Sequence, residues 1–310
     1  MLVAAAFFVA TVLQTSRAST AGNPSWRRLL PSAPRSGFWT SSTSPSEADD
    51  HAVLAPCMDG VDVSLYRVHG WRWHNLSAIR DLDRLAVLAG SFRAGAPSDG
   101  GDDEALLRAA EFVVDVNLGG LLRVETELFR PFLRRNLVEG GGADGGDWDR
   151  DARRSIGRMV DRWFGEDALG RYDAAAADLK RHAAAACAPG RPPAARRRSA
   201  QLLAAASGAL HGSLHSRFVS IESLLVPAVA LRVRPSLQEG FNSRVIRSLG
   251  VSGARVYLVG MHDAAAEMGE GRMFDAAIPA FARAMVGRWR ERVYGPAGGL
   301  ALYGNVTSHA

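Results

Sequence analysis

Glu125 and Glu222 are the side chains of this chain whose surroundings call most plainly for chemistry. Each stands in an apolar helical stripe a few residues ahead of a proline, Glu125 before Pro131 and Glu222 before Pro227. A carboxylate turned into a protein interior costs free energy unless it is paired, hydrogen-bonded or bound to an ion. Two of them on matching segments point to a metal–carboxylate bundle, or to what is left of one after ligands have been lost. Three histidines have the placement to join them: His74, His211 and His215. His211 and His215 are four residues apart, so both rings fall on one helix face, and Glu222 lies seven beyond His215 on a shared face. The candidate metal ligands are therefore His74, Glu125, His211, His215 and Glu222, as a mononuclear site. Each also has a plainer reading. His74 fits a half-buried position beside Trp71 and Trp73, and His211 and His215 fit partly exposed, hydrogen-bonded positions, because a histidine pair without a third ligand is a weak metal signal. No catalytic residues are assigned: no GxSxG, Walker loop or Rossmann fingerprint occurs.

The elements that must position these residues read as helices. The chain has 310 residues, 47% apolar and 22% charged, and is rich in Ala and Arg with few β-branched runs. That composition favours an all-α fold with a sizeable core. Apolar residues at helical spacing predict a first helix over 61–92, a second over 104–137, a third over 149–186 with a break near Gly165 or Gly170, and a fourth over 194–233 closed by Pro235. Shorter helices are predicted over 237–249, 254–268 and 279–294, with Trp289 and Tyr294 docking the last of them. Pro131 is expected to kink or end the second helix. The Gly119-Gly120 pair within that helix is expected to mark close packing or a bend, since each glycine costs about 1 kcal/mol there. Four long helices with short to medium connections predict an up-down bundle over 51–235, with 236–310 as a C-terminal helical extension packed on it.

Residues 1–50 are set apart as a targeting segment. An apolar run from Leu2 to Leu13, too short to span a bilayer, precedes a Ser-, Pro- and Arg-rich stretch, and no acid occurs before Glu47. This reads as a transit peptide for a mitochondrion or plastid. A secretory signal cleaved near Ala18 to Ala21 and a plain disordered tail are the alternatives. Charges interrupt the later apolar runs, so no integral membrane segment is expected in the mature chain. The net charge of +5 comes without a basic face carrying interleaved aromatics, so no nucleic-acid partner is expected. Cys57 and Cys187 have no zinc spacing, and whether they pair is open. Asn75-Leu76-Ser77 and Asn305-Val306-Thr307 match glycan acceptors by chance.

Taken together, the His74 to Leu82 stripe (HNLSAIRDL), Leu121 to Glu125 with Pro131, Arg217 to Glu222 with Pro227, and Arg234 to Phe241 (RPSLQEGF) resemble the hemerythrin-like, HHE cation-binding family, most of all its plant and animal iron-sensing members. The resemblance covers about two-thirds of the chain, from Val61 to Met268. It implies a four-helix bundle around a di-iron centre whose second and fourth helices carry H-x-x-x-E ahead of the proline. Here Glu125 matches the second-helix glutamate, but Leu121 stands at its histidine. Arg217 stands at the fourth-helix histidine and Ile221 at its glutamate, while Glu222 matches a neighbouring acid. No histidine matches the third helix between Trp148 and Val160. Only His74 and Glu125 are carried over as ligands, too few for two ions. The expectation is thus a degenerate site with no cofactor, in which the Arg217 guanidinium fills the volume of the lost metal and neutralises Glu125. The chain is then a binding or regulatory module for a protein or small-molecule partner. The alternative is a non-haem iron or O2-binding protein using the five relocated ligands.

Overall fold

A computed structural model of the chain describes residues 45–92, 101–139 and 150–294. All regular elements among the described residues are helical, and none of these residues forms a strand. The leader's apolar run, its basic stretch and the Asn305 sequon lie outside the described residues.

Helix α1 spans Pro45–Met58. It starts ahead of residue 50, inside the stretch that the sequence reading set apart, and its Asp50 is buried against Arg158 and Arg162. Helix α2, His69–Ser91, begins later than expected. Asp62 accepts a hydrogen bond from the Ser64 N–H at 2.9 Å and caps a separate 3-10 turn, Val63–Leu65, which Tyr66 ends in an extended conformation.

Helix α3 covers 101–138 as one rod in which α-helical segments alternate with π-helical ones: Gly101–Glu111, then π Phe112–Leu118, Gly119–Val124, π Glu125–Phe129, Arg130–Leu133 and π Arg134–Val138. Pro131 therefore does not end this helix, one of the two outcomes expected for it. In the preceding π turn the Arg130 N–H reaches back five residues to the Glu125 carbonyl. That shift puts Pro131 at the start of the next segment, where no backbone donor is required. Each π segment also carries one buried polar side chain: Asn117, Glu125 and Asn136 respectively. Gly120 is a point of close approach, as a Cβ there would lie 2.0 Å from the Tyr257 hydroxyl.

Helix α4, Arg150–Phe164, and α5, Glu166–Cys187, are separated at Gly165, one of the two expected breaks. Helix α6, Pro193–Arg232, is 40 residues long and contains Pro227. Helix α7, Pro235–Glu267, merges the expected sixth and fifth short helices into one element, bent at Gly250 where φ is 63° and ψ 179°. A short α8, Gly271–Ala277, precedes α9, Ala280–Val293, whose Trp289 and following Tyr294 are buried.

Helix α6 is central. It packs along α2 and α5, while α7 lies on α2 and α3 on α5. The α2–α6 pair is antiparallel: Ser207 Oγ donates to the Leu82 carbonyl at 2.6 Å at one level, and Arg72 meets Glu222 at another. Leu82, Leu85, Leu121, Leu203, Leu214 and Ile221 are fully buried at these contacts. Burying each such side chain stabilises the fold by about 1.5–3 kcal/mol. By length and composition α6 alone among the described helices is apolar enough to cross a bilayer, which the sequence reading did not anticipate. Half of its apolar window is buried inside the fold.

Candidate functional site

The opening of α2 supplies the site. Trp71, Arg72, Trp73, His74 and Asn75 are all buried, since α6, α7 and α3 cover this helix on several sides. Five consecutive large or polar side chains cannot all point into one apolar layer, so their polar atoms are met by polar groups from the neighbouring helices.

The first such meeting is between Glu125 of α3 and Arg217 of α6. Arg217 Nη2 donates to Glu125 Oε2 at 2.8 Å, and Nη1 to Oε1 at 3.2 Å, a two-pronged ion pair. Trp71 Nε1 donates to the same Oε1 at 2.9 Å. The remaining guanidinium face is held by the Trp163 carbonyl, 3.0 Å from Nη2. Phe164 and Tyr172 stand 5.0 and 5.4 Å from the guanidinium carbon, a distance at which an aromatic face attracts a cation. Phe129 and Phe218 pack against Trp71. Glu125 is 0% and Arg217 8% exposed. Burial works against the Arg217 charge, but Glu125, then Tyr172 and the hydrogen bonds outweigh it and hold the guanidinium above its ordinary value. Every charged atom of the pair is thus matched, which is what an ion pair of this depth requires.

A second cluster lies one residue further along α2. Arg72 donates to Glu222 of α6 at 2.5 Å and to Glu270, in the α7–α8 connection, at 2.9 Å. Trp73 Nε1 donates to the other Glu270 oxygen at 2.7 Å. Burial opposes the Arg72 charge, and the two carboxylates more than restore it. His69 stacks on Trp73 at 5.7 Å. Burial and then the Arg72 charge lower His69 to about 4.

The third cluster joins α2 to the first π segment of α3. Asn117 Nδ2 donates to Asp81 Oδ2 at 2.7 Å and stands 3.3 Å from Ser77 Oγ. Burial pushes the Asp81 carboxyl up, against the pull of Arg80, Arg84 and Asn117. His74 packs on the Tyr257 ring at 4.8 Å. Its burial lowers it to about 4, with Asn117 opposing, and its buried Nε2 has no hydrogen-bond partner among the described residues.

The five proposed ligands are therefore parted. Glu125 faces Arg217, Glu222 faces Arg72, and His74 faces Tyr257 and Asn117. His211 and His215 stack on each other, half exposed, with no hydrogen bond to a described residue, rather than the hydrogen-bonded arrangement expected for them. Among the described residues no three His, Cys, Asp or Glu side chains gather to hold a metal ion. The reason is helical phase. Glu222 is turned about 100° from Ile221, which shares the inward face with Arg217, and so it meets a different helix side. Glu125 is met by a guanidinium and an indole N–H, while Leu121 and Ile221, one turn from Glu125 and Arg217 on their helices, are buried hydrocarbon. These give a cation no second ligand, so the residues at this position do not fit a di-iron centre.

Sequence reasoning placed Glu125 and Arg217 together but missed Arg72, Asp81, Asn117 and Glu270. The run Trp71-Arg72-Trp73-His74-Asn75, which puts indoles and polar side chains side by side on every face of the helix, was the available signal for the first of these. Nothing in the sequence marks Glu270. Cys57 and Cys187 are both free thiols, and burial pushes Cys187 up to about 11. Asn75 is fully buried, so it offers no glycan acceptor in the folded chain. No family model matches the chain, nor does any curated protein or solved structure.

Proposed function

We propose that the chain is a hemerythrin-like up-down bundle, built on α2, α3, α4 with α5, and α6, in which an ion pair has taken the place of the di-iron centre. It then acts as a binding or regulatory module for a protein or small-molecule partner, in an organelle to which its leader directs it. The two-pronged Arg217–Glu125 pair carries this reading. Its residues are the two that align with a metal-ligating histidine and glutamate on facing helices, and they neutralise each other across the space between those helices. The hydrocarbon at Leu121 and Ile221, where the remaining ligands of those helices would stand, supports it further.

Metal analysis of the purified mature protein tests the reading. Iron and manganese are expected below a tenth of an equivalent, roughly what adventitious binding leaves, with no absorption band of oxo-bridged iron. Stoichiometric iron that disappears on His74→Ala or Glu125→Ala substitution would overturn it in favour of a working iron centre.

A further inference from the structure

His211 and His215 stand one turn apart near the middle of α6, where the helix is half exposed. Their rings are almost parallel, inclined by 4°, with centres 6.2 Å apart. Neither ring is tied to a described residue by a hydrogen bond or ion pair, and none of their nitrogens is among the fully buried, unpartnered polar atoms. Burial, and after it the His211 charge, holds His215 below the ordinary histidine value.

Neutral imidazole is the donor that suits zinc, nickel and copper, whereas calcium and magnesium take oxygen. An ion about 2.0–2.1 Å from a ring nitrogen lies about 3.2 Å from the ring centre, so two rings sharing one ion have centres at most ~6.4 Å apart. At a tetrahedral angle the same rings come to about 5.2 Å. The observed 6.2 Å falls inside the outer limit, and because near-parallel ring planes do not meet at one ion, sharing it requires one ring to turn about its side-chain bonds and move closer to the other. The backbone already holds both rings on one face, so little order has to be imposed on the chain.

We propose that His211 and His215 form a surface site for one divalent transition ion of the zinc, nickel and copper class, with water in the remaining positions. This goes beyond the ion-pair reading and does not depend on it, since Arg217 meets Glu125 of α3 on the inward side of α6. No third His, Cys, Asp or Glu among the described residues joins the pair. The site is therefore one from which the ion exchanges readily, as a sensing or transfer site needs, rather than a structural site closed by four protein ligands. A bound ion also clamps one turn of α6, so it stabilises the helix that carries the core.

Calorimetric titration of zinc chloride into the untagged full chain at pH 7.5, read beside thermal unfolding with and without zinc, tests the proposal. One equivalent is expected to bind and to raise Tm. His211→Ala and His215→Ala should each weaken binding at least tenfold and abolish the Tm rise, while His182→Ala changes neither. Binding should fade as pH drops and protons compete for the rings. Circular dichroism without zinc checks that each variant keeps its helix, and His215→Gln, which keeps a polar side chain, serves in place of the alanine variant that does not. Zinc binding that survives both histidine substitutions, or no heat and no Tm change in the unsubstituted chain at millimolar zinc, would overturn the proposal. Because iron in the core is measured separately, loss of this site leaves the reading of the Arg217–Glu125 pair standing, and the reverse holds as well.

Discussion

At the residue scale the protein turns on charges placed where water does not reach. Arg217 and Glu125 satisfy each other so fully that either alone becomes a liability. Glu125→Leu or Arg217→Met should destabilise the fold by about 3–5 kcal/mol, because each strands a buried charge. Replacing both, as Glu125→Leu with Arg217→Met, should recover most of that loss. Urea unfolding of the three variants in a double-mutant cycle checks this, and additive losses would mean that the two side chains do not act as a pair. The histidines give a second expectation. His69 and His74 titrate near 4 in the folded chain, below the ordinary value of 6.5, so the unfolded chain takes up their protons first as pH falls. The stability they contribute is complete above about pH 6.5 and is lost between there and about pH 4, at roughly 1.4 kcal/mol per pH unit for each ring. Urea midpoints at pH 7, 5.5 and 4 should fall accordingly, and His74→Phe should flatten the slope. An unchanged slope in that variant would show that its burial is not what the pH dependence reports. Among single residues the sequence suggested the Glu125–Arg217 pairing through the resemblance to a family whose matching positions face each other, and the two side chains do meet. It did not disclose Glu222's partner, because one residue of helical phase separates Arg72 from the interior that Arg217 occupies.

At the scale of elements the chain's helices were largely written in its apolar spacing. The ends of α6 and the division of α4 from α5 lie within a residue or two of where periodicity put them, because Pro192, Pro193 and Gly165 leave the backbone little choice. The π turns of α3 were not legible. They depend on which carbonyl each N–H reaches, and that is decided by packing after the helix has formed. Their consequence is visible in Pro131, which reads as a stop in the sequence and is a segment start in the structure. Close packing at Gly120 was legible in kind, as a glycine pair inside a helix, while its partner Tyr257 was not. Gly120→Ala should cost about 1–3 kcal/mol by overpacking, since the new methyl would press on that ring. Thermal unfolding measures the loss, and Tyr257→Ala in the same chain should return part of it. A neutral Gly120→Ala would mean that α3 and α7 can separate at no cost.

At the scale of the whole molecule, a long central helix holds two kinds of polar surface. Its inward side carries the arginine that closes the core, and its outer side carries the two histidines proposed to take a metal ion. The C-terminal helices are fastened to this frame by Glu270, which receives hydrogen bonds from both Arg72 and Trp73. If the central ion pair stands in the space once held by metal, putting the ligands back should restore a metal. The direct measurement is iron content after anaerobic loading with ferrous iron, on a chain carrying Leu121→His, Arg217→His and Ile221→Glu together. With Glu125 retained, this variant is expected to hold at least one iron per folded chain where the unsubstituted protein holds none. A folded variant that still binds no iron, or an unsubstituted chain that binds as much, would contradict the account.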